Sequence, residues 1–366
     1  MGLRKSTLEV LVKDNFWSGR RVLLTGQTGF KGAWLTFWLA EMGAEVSGLA
    51  LPPCSTPNLH DLLGLPERGC FVHADINNRA ALDQLIAQSQ PEVVIHMAAQ
   101  ALVRPSYATP VETFATNVLG TVTLLDAMRA CDSARAILVV TSDKAYENRE
   151  WKWGYRETDS LGGHDPYSAS KGCTELAAIS MRRSFFGAGK HPARIATLRA
   201  GNVIGGGDWS ADRLVPDIVR GCLGEERTVR LRNPAAIRPW QHVLDPLRAY
   251  LMLAEHLCTT PDGFDEAWNI GPDAHQNRPV LQVAEAMLKA LGRGRIELAE
   301  DAAAPHEATL LTLDCAKARA RLGWIPRFDF ATTVAMTADW YGAWSRGEDV
   351  VALTRAQIAM IMADAE

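Results

Sequence analysis

Tyr167 and Lys171 stand four residues apart in Tyr167-Ser168-Ala169-Ser170-Lys171, a spacing that puts both side chains on one helix face, one turn apart. An ammonium held there stabilises a neighbouring phenolate, so the tyrosine can take a hydroxyl proton at neutral pH. Upstream, Thr141-Ser142-Asp143-Lys144-Ala145-Tyr146-Glu147-Asn148 offers a hydroxyl, a carboxyl and an amine on a different element. Together these groups suit a reaction that moves a hydride and a proton and then alters the product further. The alternative is an ordinary amphipathic helix, since Tyr-x-x-x-Lys arises by chance in many chains.

The hydride needs a carrier, and the sequence supplies a cradle for one. Gly26-Gln27-Thr28-Gly29-Phe30-Lys31-Gly32 follows an apolar strand, Arg21–Thr25, and opens a helix from about Gly29 to Met42. This G-x-x-G-x-x-G run is a variant of the dinucleotide fingerprint. Its first glycine permits the tight turn, its second lets the backbone approach a pyrophosphate, and its third allows helix–strand packing. The pyrophosphate then sits at the helix N-terminus, where free N–H groups and the dipole favour an anion. A purely structural glycine turn is the competing reading. Ser47-Gly48-Leu49-Ala50-Leu51-Pro52-Pro53 holds neither an acid nor a base where the ribose is usually read, so the choice between NAD and NADP is not fixed there. Asp75 either accepts a hydrogen bond from adenine or forms an N-cap or Asx turn.

The elements that must position these groups alternate. Apolar runs at 21–25, 44–51, 70–74, 92–98, 136–142 and 194–198 are separated by helical patterns at about 29–42, 79–89, 111–130 and 167–186. Continuous apolar strands between helices predict a doubly wound parallel sheet. Beyond Gly201 the elements shorten, and Gly205-Gly206-Gly207 and Pro234 mark loops. A helix is expected at 245–257, with Asp245 as N-cap and Pro246 in its first turn, and another at 282–291.

With 366 residues, 47% hydrophobic and 22% charged, the chain can bury a large core, and two lobes sharing an interface are expected. A net charge of −4 and a pI near 6.2 argue against a nucleic-acid partner. The seven cysteines show no C-x-x-C spacing and read as thiols in a reducing cytosol. Val10-Leu11-Val12 is too short for a signal core and no run is long enough for a membrane span, so a soluble cytoplasmic protein is expected. His60, His164, His191, His242 and His256 are dispersed without ligand spacing, and no metal is expected.

In their order and spacing these motifs resemble the extended short-chain dehydrogenase/reductase family over nearly the whole chain. The matching pieces are Thr25–Gly32, Asp75-Ile76, His96-Met97-Ala98-Ala99-Gln100, Asn117, Thr141–Tyr146, Tyr167–Lys171, Arg199-Ala200-Gly201-Asn202-Val203 and Asn269-Ile270-Gly271. The resemblance implies a Rossmann-type sheet with a smaller, interwoven α/β substrate-binding lobe. The first would span 16–200, with a returning segment at about 236–262, and the second 201–235 and 263–366. It implies NAD as cofactor, held by Gly26–Gly32, Asp75, Ile76, Ala98, Ala99, Asn117, Tyr167 and Lys171. Asn117 would act by holding a helix kink through its amide; a surface asparagine is the alternative.

Within the family, the Asp143 loop resembles that of nucleotide-sugar 4,6-dehydratases rather than 4-epimerases or reductases, which remain the competing enzymes; a scaffold without catalysis is the competing non-enzyme. Phe16-Trp17-Ser18-Gly19 and Arg238-Pro239-Trp240-Gln241-His242-Val243 further resemble the branch whose substrate is a CDP-hexose, CDP-glucose. The resemblance implies that Tyr167 deprotonates the C4 hydroxyl, that Ser142 bonds the C4 oxygen, and that Asp143 protonates the departing C6 oxygen. Most relatives carry Thr-Asp-Glu where this chain has Ser142-Asp143-Lys144. Lys144 is therefore the candidate base at C5, with Glu147 in reserve; a surface or cofactor-contacting lysine is the other reading. Arg238 is the first candidate for a bidentate phosphate contact, with Arg213, Leu214, Asn202, Gln100 and Asn269 around the nucleotide. Trp209 and Trp240 either stack on a base or belong to the core. Family members pair through the helices at 111–130 and 167–186, so a homodimer is expected, with a tetramer open; Leu119, Val122 and Leu176 either face that partner or their own sheet.

Overall fold

The computed structural model describes residues 16–187, 189–260, 262–298 and 310–363. The tripeptide Val10-Leu11-Val12 lies outside the described residues. Seven strands form one sheet in the order β3-β2-β1-β4-β5-β6-β11. They are β1 (Arg21–Thr25), β2 (Glu45–Ala50), β3 (Cys70–His73), β4 (Val93–His96), β5 (Ala136–Val140), β6 (Arg194–Ala200) and β11 (Ala267–Ile270), and every pairing is parallel. Burial explains the apolar character of the inner strands, whereas β3 at the edge is exposed or half-buried throughout. Val22 and Leu24 of β1 enter one core while Leu23 enters the other, and β5 splits likewise into Ala136, Leu138, Val140 and Ile137, Val139.

The helices in chain order are α1 (Phe30–Glu41), α2 (Leu59–Leu62), α3 (Arg79–Ser89), α4 (Val103–Ala108), α5 (Pro110–Phe114), α6 (Gly120–Met128), α7 (Pro166–Met181), α8 (Leu214–Leu223), α9 (Leu244–Thr259), α10 (Val280–Leu291), α11 (Phe330–Ser345) and α12 (Val350–Ala363). Apolar faces of α1 and α9 fill one core, and those of α3, α6 and α7 fill the other. Sheet order reverses between β2-β1 and β4-β5, so the carboxyl ends of β1, β4 and β5 open onto one crevice.

Three expectations change. The helix expected over 111–130 is interrupted: α5 passes through a π turn at Ala115–Leu119 before α6 begins, and Asn117 is buried in that turn. Asp245 does not cap its own helix. It is buried inside the first turn, and its carboxylate accepts the amides of Arg327 at 2.7 Å and Phe328 at 3.4 Å, so it holds a different segment. Residues 267–270, placed by sequence in the second lobe, pair with β6 as the outermost strand of the main sheet, where Trp268 and Ile270 are fully buried.

The remaining strands are short pairs: β7 (Val203–Ile204) with β10 (Gln241–His242), β9 (Ile237–Arg238) with β12 (Arg278–Pro279), and β8 (Thr228–Leu231) with β13 (Arg295–Leu298). Among the described residues, no helix is long and apolar enough to cross a membrane, and no group of three or more His, Cys, Asp or Glu is placed to hold a metal ion.

Candidate active site

The glycine turn is a main-chain surface. Gly26 has φ +79°, and a Cβ there would lie 2.7 Å from the Ala98 amide nitrogen. A Cβ on Gly32 would overlap the Gly26 carbonyl oxygen. Gly29 caps α1 in an extended conformation without a side-chain hydrogen bond, which leaves first-turn amides for an anion. Thr28 Oγ1 donates to the Leu51 carbonyl at 2.8 Å and ties the turn to the end of β2. Thr25 Oγ1 accepts the Met97 and Ala98 amides, each at 3.2 Å, and draws the Ala98-Ala99 backbone against Gly26. The side chain of Gln27 is buried against Gly48 of β2, where a Cβ would lie 2.8 Å from its amide carbon. Ile76 is buried under Gly120. Asp75 forms an Asx turn, its Oδ1 accepting the Asn77 amide at 2.8 Å, while Asn78 caps α3.

The proton-transfer groups converge where β5 ends. Asp165 caps α7 by accepting the Ser168 amide at 2.9 Å, and Ser106 Oγ accepts the Tyr167 amide at 3.1 Å, which fixes the first turn of the helix. Tyr167 and Lys171 are both buried on that helix. Ser142 caps the short turn Asp143–Ala145, accepting the Lys144 amide at 3.2 Å and donating to Asp143 Oδ1 at 2.9 Å. Ser142 is the neighbour that most favours ionisation of the Tyr167 phenol. Asp143 is only 3% exposed, and its Oδ2 is buried without a hydrogen-bond partner. Burial lifts its carboxyl above the ordinary carboxylate range, against the pull of Lys144, Ser142 and Arg238.

Lys171 behaves differently from expectation. Burial pushes its amine down to about 8, with Glu175 opposing, and its Nζ donates to the Val140 carbonyl at 3.3 Å. The Tyr167 phenol is raised to about 12, first by burial and then by Asp143, against Ser142 and Arg213. Burial thus sets the phenol well above neutrality, and Lys171 is not among the groups that lower it. Lys31, read from sequence as one member of the glycine turn, reaches the same cluster. Its Nζ lies 3.3 Å from the Tyr250 hydroxyl, and burial, Arg213 and Lys171 lower its amine to about 7 against Asp143. Neither Tyr250 nor this reach of Lys31 shows in the sequence, because both depend on α9 packing across the turn.

The nucleotide-side residues divide. Arg238 is buried and bears on Asp143, and its Nη1 also donates to the Ile237 carbonyl at 2.9 Å. Arg213 precedes Leu214 at the start of α8, pairs with Asp208 at 3.2 Å, and bears on Tyr167 and Lys31. The Asn202 carbonyl accepts the Gln241 amide at 3.1 Å where β7 meets β10. Two expected ligand contacts are corrected. Asn269 is fully buried; its Oδ1 accepts from Tyr146 at 2.6 Å and its Nδ2 donates to the Tyr155 and Asp314 carbonyls, so its amide serves the core. Gln100 Nε2 donates to the Leu102 carbonyl at 3.0 Å and to Thr113 Oγ1 of α5 at 3.1 Å, which uses both its donors within the protein.

Asn117 Oδ1 accepts the Gln100 amide at 2.8 Å, and its Nδ2 donates to the Gln100 carbonyl and Ser170 Oγ, spanning the π turn, the β4 loop and α7. Trp240 is buried and bonds the Arg278 carbonyl, and Trp209 packs on Tyr341 and Trp344; both are packing residues. Lys144 is half-buried and is the nearest cation pulling on Asp143, whereas Glu147 is exposed and its amide donates to the Ser160 carbonyl.

The profile of the GDP-mannose 4,6 dehydratase family matches residues 23–337. A CDP-glucose 4,6-dehydratase from Salmonella typhimurium is 45% identical over 355 residues, covering 96% of this chain and 99% of that protein. The solved DesIV, a dTDP-glucose 4,6-dehydratase from Streptomyces venezuelae with NAD bound, superposes with a TM-score of 0.76 at 25% identity, covering 89% of this chain and 98% of that one. A UDP-glucose-4-epimerase from Stenotrophomonas maltophila shares the fold at a TM-score of 0.77 and 24% identity, over 90% of this chain and 99% of its own.

Proposed function

The chain belongs to the GDP-mannose 4,6 dehydratase family, and on that premise we propose that it converts CDP-glucose to CDP-4-dehydro-6-deoxyglucose and water. The observation that carries the reaction type is Asp143: a buried carboxyl held above its ordinary range, hydrogen-bonded to the Ser142 hydroxyl and bearing on the Tyr167 phenol. Elimination of water needs an acid that is protonated when it meets the leaving oxygen, and an epimerisation at C4 does not. The substrate rests on the identity to the Salmonella protein along the full length of both chains.

The glycine turn fits a dinucleotide, because a Cβ at Gly26 or Gly32 would fill the cradle that its backbone makes. Gly26–Gly32, Ile76, Ala98, Ala99, Tyr167 and Lys171 would hold NAD, with Asp75 at the adenine end. When bound, NAD supplies the carrier for a hydride taken from C4 and returned to C6, together with a positive charge, so the cycle is redox-neutral.

The protein's own groups handle the protons. Tyr167 takes the proton of the C4 hydroxyl, and Ser142 holds the oxygen. The ketone so formed makes the C5 proton acidic. Lys144 removes it while Asp143 protonates the C6 hydroxyl, which leaves as water; C5 then regains a proton. Arg238 and Arg213 face the diphosphate. The lobe at 201–235 and 263–366, less β11, grips the nucleotide, and the layer at 16–200 with its return at 236–262 holds the cofactor. Exposed Leu119 and Leu176, at 60% and 57%, support pairing of two copies through α5–α6 and α7; Val122 is half-buried.

Purified protein incubated separately with CDP-, dTDP-, GDP- and UDP-glucose tests the reading. Loss of one water from the CDP sugar in preference to the others, with deuterium moving from C4 to C6, is expected. Inversion at C4 without loss of water, or turnover of none of the four, would overturn it.

A further inference from the structure

Behind the proton-transfer groups lies a buried charge that the scheme above does not use. Glu175 stands one turn beyond Lys171 on α7 and is wholly enclosed, at 0% exposure. Its oxygens are taken by two strands. Oε1 accepts from Thr141 Oγ1, in the residue immediately before Ser142. Oε2 accepts from Thr197 Oγ1 at 2.7 Å and from Arg199 Nη2 at 2.9 Å, both on β6. Arg199, itself 1% exposed, donates from Nη1 to the Tyr146 hydroxyl at 2.7 Å, and Tyr146 closes the turn that carries Asp143.

A buried ion pair contributes little net stability, since desolvation offsets the attraction, and apolar side chains of similar volume would pack these elements as well. What distinguishes this pair is what it joins: the strand end that presents Ser142 and Asp143, the turn that closes behind them, and the helix that presents Tyr167 and Lys171. We propose that Glu175 is a positioning residue for proton transfer, locking these three elements in register and fixing a negative charge one turn from the Lys171 amine. The inference rests on the reading of Tyr167 and Lys171 as the proton-transfer pair.

The surroundings of Lys171 make the charge consequential. The amine faces Lys31 from the glycine turn, His96 from the end of β4 and the Val140 carbonyl from β5. Lys31 is a like charge, and His96 is held neutral by burial. Glu175 is the group that opposes desolvation of the ammonium. Glu175 in turn faces Arg199 and, at longer range, Arg182.

The test reads Lys171 directly in the full chain without substrate. Trace labelling of its amine with an acylating reagent, followed by peptide mass analysis between pH 6 and 11, gives the half-point of its titration. In Glu175→Gln this half-point is expected to fall by about one pH unit, a ~10-fold change in charged fraction at fixed pH above it. The pH profile of kcat should move with it while KM changes little. Glu175→Gln strands the Arg199 charge, so the double variant Glu175→Gln/Arg199→Met, which buries neither charge, carries the same measurement. An unmoved labelling curve in both variants, with native thermal unfolding, would overturn the proposal. A curve that moves in a protein that dehydrates a different sugar nucleotide upholds Glu175 and corrects only the substrate.

Discussion

Between β1 and α1 the crevice is lined by main chain; between β5 and α7 it is lined by buried, chargeable side chains. At the glycine turn nothing can be added, since the next atom on Gly26 or Gly32 would meet backbone. At the β5–α7 seam burial displaces three groups from their ordinary range: Asp143 and Tyr167 are pushed up and Lys171 down. The turn is a problem of space and the seam a problem of solvation. Mutations should separate the two, because filling space harms the fold and the cofactor together, whereas removing a desolvated charge harms chemistry and relieves the fold.

Gly32→Val gives the largest expected effect. Its Cβ would collide with the Gly26 carbonyl, a backbone atom that no rotamer change can move aside. We expect loss of about 3 kcal/mol or more of stability and of measurable NAD binding, read by denaturant unfolding and by calorimetry. Retained binding at native stability would break the contrast from the side of the turn.

Asp143→Asn should do the reverse. Turnover is expected to fall ~10²–10⁴-fold, the usual worth of a positioned acid. Thermal unfolding should stay level or rise, since an amide replaces a carboxyl whose Oδ2 is buried without a partner. A large loss of stability would mean that the seam is structural after all. Lys144→Met sharpens the same point with a smaller effect, about 10²-fold in overall rate. It should retain oxidation at C4 and lose incorporation of solvent deuterium at C5, while Glu147→Gln keeps both. The opposite pattern would move the C5 base to Glu147.

The same contrast governs what the sequence could disclose. The turn was legible because main-chain geometry leaves its record in glycine spacing: Gly26, Gly29 and Gly32 can be read without knowing what lies opposite. Continuous apolar runs likewise marked β1 to β6, since the inner strands of a parallel sheet are apolar on both faces. The seam was legible only as residue types. The structure brings Ser142, Asp143 and Tyr167 together, with Lys171 one turn further along α7, and the balance of their protons depends on enclosure by segments far away in the chain. Asn269 and Gln100 show the cost of reading motifs alone, because both stand in recognisable strings yet spend their amides on the Tyr146 hydroxyl and the Leu102 loop. Asp245 was misread for a related reason. Asp-Pro at a helix start is a good local capping signal, and the amides of Arg327 and Phe328 that claim the carboxylate are invisible until the fold closes. The π turn at Asn117 was signalled only by the asparagine and the kink that the family resemblance implies there.

Lys31 belongs to both regions, and it yields the smallest but most discriminating prediction. Its amine is lowered from 10.5 to about 7, and Lys171 from 10.5 to about 8. Between those values and 10.5 the unfolded chain binds more protons than the folded one, so stability rises with pH through that window and the full penalty is present below about 7. Buried carboxyls act with the opposite sign. Asp245 is raised from 3.8 to about 7, so over that window the folded state holds the extra proton and stability falls as pH rises. His96 and His242, each lowered from 6.5 to about 3, act over the acid window with the sign of the lysines and oppose Asp245 there, so the clear trend is the upper limb above pH 7, on the order of 1–2 kcal/mol after solvent relaxation. Denaturant unfolding at pH 5, 7 and 9 checks this. Lys31→Met should raise stability at pH 7 and flatten only the upper limb, because it removes a desolvated charge without placing an atom against the glycine backbone. If the upper limb survives that substitution unchanged, the turn is purely a matter of space and the seam ends at Lys171.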